Sequence, residues 1–178
     1  MVCWPSYRDF QAPEKYREEV FFRIKRMVDY AAEQDVVLLH ENEKEIYGDA
    51  AGRCLELMKA FYGDHFKCVF DFANFVQCGQ DTMEAYEMLK PYIAYIHIKD
   101  AVKGSGEVVL PGDGDGCVKE ILTMLDGAGY QGYLSLEPHL VSFDGLEKLE
   151  KEAKERKEQD GIAAYKKAYG RLAELLDE

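Results

Sequence analysis

The chain is poor in the residues that would mark several common protein classes. It has five cysteines, Cys3, Cys54, Cys68, Cys78 and Cys117, and no Cys-x-x-Cys pair. An odd count without that spacing argues against a disulfide framework or a structural zinc site. Reduced, buried thiols in a cytoplasmic protein are the plainer expectation. Basic residues are scarce. Lys and Arg number 22 against 34 Asp and Glu, for a net charge of -12. That balance excludes a nucleic-acid backbone as partner, because such binding is driven by Lys and Arg releasing counterions. Long apolar runs are missing too, and none approaches the roughly 20 residues needed to cross a bilayer. The opening Met1-Val2-Cys3-Trp4-Pro5 has no basic segment followed by an apolar one, so no secretory signal is expected.

What remains is ordinary globular material. The 178 residues are 47% hydrophobic and 31% charged, enough for one sizeable core in a single domain over residues 1–178. A first helix is expected from Pro13, with Val20, Phe21, Ile24, Met27, Val28, Ala31 and Ala32 at helical spacing. A strand follows over Val36 to Leu39. Asp49 is the expected N-cap of a second helix with inner residues Leu55, Met58 and Phe61. Then come a strand over Lys67 to Asp71, a loop, a helix over Thr82 to Leu89 stopped by Pro91, and a strand over Ile93 to Ile98. A glycine-rich loop runs from Lys103 to Gly116. After it a helix over Val118 to Leu125 precedes a strand over Gly132 to Glu137. The tail reads as helix, with Tyr165, Ala168, Leu172 and Leu175 on one face. The Lys- and Glu-rich run from Leu146 to Gln159 reads as a solvated helix face. Strands alternating with helices predict an α/β fold with parallel strands and outer helices.

Four of the apolar runs end in a residue able to hold a divalent ion: Glu41, Asp71, His97 and Glu137. In a barrel of alternating strands and helices, the carboxyl ends of the strands converge on one mouth. Two Glu, one Asp and one His form a mostly hard-oxygen set, suited to one divalent ion. Mn²⁺ is the first expectation, with Mg²⁺, Co²⁺ or Zn²⁺ as alternatives. Alternation turns Glu41 inward with Leu39 and Val37, and turns His40 toward the helices. His65 precedes its strand and reads as structural.

The segments His40-Glu41-Asn42-Glu43-Lys44-Glu45-Ile46-Tyr47-Gly48-Asp49, His97-Ile98-Lys99-Asp100, Pro111-Gly112-Asp113-Gly114-Asp115-Gly116 and Gly129 to His139 resemble the sugar phosphate isomerase/epimerase family of xylose isomerase-like TIM barrels. The resemblance implies a metal held by Glu41, Asp71, His97 and Glu137. It also implies that Glu41 and Glu137 exchange protons with a sugar or sugar phosphate through an enediolate, giving an isomerase or epimerase. Asn42, Asn74, Lys99 and His139 are the candidate substrate contacts, with Glu43 and Tyr47 behind them. Many members carry Asp-x-x-His where this chain has Asp71-Phe72-Ala73-Asn74. Asn can bond a hydroxyl but cannot act as acid or base near neutral pH. A family barrel has eight strands and roughly 250 residues. The expectation is therefore a partial (β/α)8 barrel, roughly the last four to five βα units, starting near the end of a fourth strand at Val2-Cys3-Trp4. An open edge strand, a homo-oligomer or a missing amino-terminal half-barrel would follow. The alternatives are a related metal-dependent dehydratase and a non-catalytic half-barrel needing a partner. A class II apurinic endonuclease is disfavoured by four histidines and the acidic balance.

Overall fold

The computed structural model describes residues 13–141 and 160–177. The expectations for Val2-Cys3-Trp4 and for Leu146 to Gln159 lie outside these residues. A 3-10 turn (Pro13–Tyr16) leads into α1 (Arg17–Glu33), β1 (Leu38–Glu41) and α2 (Ala51–Phe61). Next come β2 (Phe66–Asp71), α3 (Phe72–Gln77), α4 (Thr82–Leu89) and β3 (Ile93–Ile98). The short strands β4 (Asp100–Ala101) and β5 (Val108–Val109) precede α5 (Val118–Gly127) and β6 (Tyr133–Leu136). The last helix, α6, spans Gly161–Asp177. Strands β1, β2, β3 and β6 form one sheet in that order, every pair parallel. Among the described residues the sheet does not close. The fold is α/β and corresponds to part of a barrel.

Helix faces follow their apolar spacing. Helix α1 buries Val20, Ile24 and Ala31. Helix α4 is capped by Asp81, whose side chain accepts from the Glu84 backbone N–H at 2.9 Å. Helix α5 buries Val118, Ile121, Leu122 and Leu125. Between sheet and helices lies an aromatic core in which Phe70 contacts Phe72 and Phe75, with ring centroids 5.2 and 5.0 Å apart. Each such ring is fully buried, and that contributes about 1.5–3 kcal/mol apiece.

Several sequence expectations are corrected. Strand β1 covers Leu38–Glu41, two residues later than expected, because the Val36 N–H is taken by the Ala31 carbonyl at the end of α1 and ladder pairing with β2 starts only at Leu38. The N-cap of α2 is Ala50, and Asp49 stands one residue earlier, bonding Ala50 N–H at 2.8 Å and Arg53 at 2.6 Å. The buried face of α2 is Ala51, Cys54, Leu57 and Met58, rotated from the expected one. In α6 the fourth buried residue is Ala164, while Tyr165 is exposed. The expected loop after β2 is largely helix α3. It starts directly at Asp71, whose side chain caps it by accepting from Asn74 N–H at 2.7 Å. Its first five residues are all buried, so no amphipathic period marked it. The glycine-rich stretch contains the antiparallel pair β4–β5.

The end of β3 is anchored by a buried carboxylate. Asp100 accepts backbone N–H bonds from Ala101, Gly112, Gly114 and Gly116 at 2.8 to 3.0 Å. Burial raises its pKa, while those four donors favour the charged form. The alternating glycines let the loop wrap the carboxylate. A Cβ on Gly114 would lie 2.5 Å from Asp100 Oδ1, and one on Gly116 2.6 Å from it. The wrapped loop holds the Lys99–Asp100 segment in place.

Two outcomes are expected. Gly114→Ala should lower unfolding stability by about 2 kcal/mol or more, through this clash. Asp100→Ala should cost about 3 kcal/mol, by orphaning buried donors. Urea denaturation reads both, and a Gly114→Ala variant as stable as the parent would count against the wrapped-loop account. His40 is buried against Phe66 and the Gly48 turn. Burial lowers its pKa from 6.5 to about 4. The unfolded chain thus takes up this proton first, and the His40 contribution to stability fades as pH falls from 6.5 to about 4. Histidine NMR titration should find its midpoint near the lower value; a midpoint at the ordinary imidazole value would refute the buried neutral ring.

Candidate metal centre

Side-chain alternation brings the four candidate ligands to one mouth. Glu41 and Asp71 are the last residues of β1 and β2. His97 pairs with Asp71 on one side and Ser135 on the other. Glu137 follows β6, and its N–H bonds the Ile98 carbonyl at 3.0 Å, so the ladder continues one step. One ligand atom from each of Glu41, Asp71, His97 and Glu137 lies within 4.8 Å of all the others. His40, of opposite parity, is outside this group.

The imidazole is clasped by two carboxylates. His97 Nδ1 is 2.9 Å from Glu41 Oε1 and 3.2 Å from Glu137 Oε1. Burial works against protonation of His97, but the Glu41 hydrogen bond and the charges of Glu41, Glu137 and Asp71 outweigh it and raise its pKa. Burial also works against ionised Glu41, yet His97 and then Lys99 hold its carboxyl below the usual range. Asp71 is completely buried, which pushes it up to about 6 against the pull of Lys99 and the Asn74 N–H. Lys99 Nζ sits 3.1 Å from Asp71 Oδ2. Burial disfavours this ammonium, but Asp71, Glu43 and Glu41 together hold it above the ordinary lysine range. At neutral pH the two form a buried ion pair. Asp71 Oδ2 meets Lys99 only as an ion pair and lacks a hydrogen-bond partner.

This donor set fits a divalent cation. Three carboxylates and an imidazole within one small volume match a hard to borderline ion. Asp71 Oδ2, one of three buried side-chain atoms without a hydrogen-bond partner among the described residues, is an acceptor open to such an ion.

The candidate substrate contacts fare differently. Asn42 is buried, and its side chain mimics a strand neighbour: Nδ2 donates to Asp71 O and Oδ1 accepts from Asp71 N–H, both at 2.9 Å. This latch joins β1 to β2 beyond Glu41. Asn74 is buried, with Nδ2 2.9 Å from Asn42 O and 3.4 Å from both Glu41 Oε1 and Glu43 Oε2. Lys99 pairs with Asp71 and not with Asp100. His139, half-buried with φ 33°, lies two residues past Glu137 and outside the four-donor group. Tyr47 is buried away from the cluster and bonds Glu56 at 3.0 Å. Two supports escaped the sequence reading, the Asn42 latch and the Asp100 anchor. The second had a signal, since Gly112, Gly114 and Gly116 alternate twelve to sixteen residues after an Asp.

Several known proteins resemble this chain in sequence or fold. A 3-dehydroshikimate dehydratase of Bacillus anthracis is 26% identical over 92 residues, covering 52% of this chain and 32% of that protein. A D-psicose 3-epimerase of Clostridium cellulolyticum H10, solved with D-tagatose, superposes with a TM-score of 0.72 at 16% identity, over 98% of this chain and 59% of the other. A xylose isomerase-like TIM barrel protein of Mycobacterium smegmatis, solved with magnesium, gives 0.62 at 17% identity, over 99% and 52%. The chain thus spans about a third of the curated relative it matches and just over half of these two solved barrels. No described helix is long and apolar enough to cross a membrane. The profile of the xylose isomerase-like TIM barrel family matches residues 1–168. With nearly its whole length matched, the chain belongs to that family.

Proposed function

We propose that this chain carries the metal-binding side of the active site of a divalent-metal-dependent isomerase or epimerase acting on a sugar or sugar phosphate. The observation that supports this most is the pair of glutamates clasping one imidazole, with a buried Asp71 beside them. Glu41, Asp71, His97 and Glu137 would hold the ion, Mn²⁺ foremost. A bound divalent ion supplies Lewis acidity, polarising a carbonyl and acidifying the neighbouring C–H. Glu41 and Glu137 approach the same His97 nitrogen from β1 and from beyond β6, the two borders of the sheet. A substrate carbon between them meets a carboxylate on either side. One takes the proton next to the carbonyl as general base, and the other returns a proton. Return to the same carbon from the opposite face inverts it, and return to the adjacent carbon exchanges aldose and ketose.

A second reading is favoured by the dehydratase relative. Proton removal would be the same, followed by loss of a β-hydroxyl in place of reprotonation. A third, a half-barrel that is inert without a partner, is favoured by the uncovered inner face, where Val37, Leu39 and Tyr133 are 46%, 44% and 75% exposed.

Calorimetry with Mn²⁺ tests the proposal. One ion per chain is expected, with Glu137→Gln and Asp71→Asn each weakening affinity by about tenfold or more. Affinity should also fall as pH is lowered, because ligands must shed protons to bind. The raised His97 pKa and the Asp71 value of about 6 put that loss in the range from neutral to mildly acidic pH. With Mn²⁺ bound, ketoses in D₂O should exchange the hydrogen beside the carbonyl, and Glu41→Gln should abolish the exchange. A folded chain that takes up no Mn²⁺ would sink the proposal.

A further inference from the structure

Glu43 stands outside the four donors, yet it is tied to one of them. It lies two residues beyond Glu41, outside β1, and is half-buried. Its Oε1 accepts from the Lys44 backbone N–H at 2.7 Å. Its Oε2 and Glu41 Oε1 are each 3.4 Å from the same nitrogen, Asn74 Nδ2, which also donates to Asn42 O at 2.9 Å. The Asn74 amide nitrogen has two protons. The Asn42 carbonyl claims one at a normal distance. The other is divided between two carboxylates at distances longer than an ordinary hydrogen bond. Both Glu41 and Glu43 thus keep acceptor capacity on the side they share.

The surrounding charge narrows what could fill it. Lys99 is buried and engaged by Asp71. The Lys44 ammonium turns to Gln77 Oε1. His97 lies between Glu41 and Glu137. A phosphate or carboxylate brought to Glu43 would face two negative carboxylates, and the buried Lys99 ammonium near them is already held by Asp71 and by the charges of Glu43 and Glu41. A hydroxyl brings the missing proton and no charge. Resting on the function proposed above, we infer that Glu43 is a substrate-binding residue that accepts a hydrogen bond from a hydroxyl of the ligand. Asn74 is its positioning residue, and the substrate group at this point is neither a phosphate nor a carboxylate. Glu43 takes no part in holding the metal.

The test uses the full chain loaded with Mn²⁺ and two probes, D-tagatose and its 6-phosphate, with binding read by calorimetry. Glu43→Ala and the near-isosteric Glu43→Gln should keep Mn²⁺ affinity within about threefold of the parent and weaken D-tagatose binding about tenfold, the size of one lost charge-assisted hydrogen bond. Asn74→Ala should weaken D-tagatose binding while still taking up one Mn²⁺, and Asn74→Gln should recover part of the loss. Parent-like D-tagatose binding in both Glu43 variants overturns the inference while leaving the metal site intact. So does loss of Mn²⁺ affinity in Glu43→Gln comparable to that of Glu137→Gln, or a parent chain that takes up Mn²⁺ but binds neither sugar. A parent chain without Mn²⁺ uptake removes the function proposed above, and this inference with it.

Discussion

Three carboxylates within 4.8 Å of one another and of an imidazole form the constraint on which the rest of the mouth depends. Like charges so close disfavour each other's ionisation, and burial adds to the penalty. The protein answers with its own cations. Lys99 is set against Asp71, and the His97 ring, whose protonated form the surrounding carboxylates favour, sits between Glu41 and Glu137. Much of the remaining local structure serves to keep these groups from moving apart. The Asn42 side chain fastens β1 to β2 beside two of the ligands. The N-terminus of α3 gives Asp71 a backbone donor. The Asp100 anchor holds the segment that carries Lys99. A divalent ion would replace the His97 proton as the charge at the centre. Stability of the ion-free site and affinity for the ion therefore depend on pH in opposite senses at His97.

The parts of the fold legible in the sequence were those that repeat a period. Strand β3 was read at its observed bounds because Ile93–Ile98 is apolar but for His97 and is flanked by Pro91 and Lys99. Helix α4 was read at its observed bounds, with Pro91 as its stop, and α5 was read from Val118 to Leu125, short of its observed end at Gly127. Glu41, Asp71, His97 and Glu137 were recoverable because each ends a β-type run, and parallel topology turns that local fact into a shared location. What failed to show was structure without a period. Helix α3 buries nearly every residue, so nothing polar marked its outer side. The start of β1 was misplaced because Val36 and Val37 are β-branched without being paired. Side chains that substitute for backbone, such as Asn42 and Asp100, leave no period at all. Only the alternating glycines record the second.

The two glutamates and the two remaining donors are not equally secured. Asp71 and His97 belong to the inner strands β2 and β3, each paired on both sides. Glu41 and Glu137 belong to the border strand β1 and to the residue after β6, supported from one side among the described residues. The inner face between them carries exposed Val37, Leu39 and Tyr133, whereas a complete barrel fills its interior with side chains from all eight strands. Two of the four candidate ligands, Asp71 and His97, are thus held by strands paired on both sides, while Glu41 and Glu137 lie where added strands would have the most effect.

Asn74 bears on which chemistry such a site could run. Where the family pattern has histidine, this chain has an amide that neither gives nor takes a proton near neutral pH. Removing a proton and returning one needs two carboxylates, and Glu41 and Glu137 are in place on either side of His97. Expelling a hydroxyl puts the returned proton on the leaving oxygen instead of on carbon, so it too takes one base and one acid. The nearest carboxylate outside the donor set is Glu43. Its Oε1 accepts from the Lys44 N–H, and its Oε2 lies 3.4 Å from Asn74 Nδ2. The choice between epimerisation and dehydration therefore turns on which atom receives the returned proton, not on the number of acid/base groups.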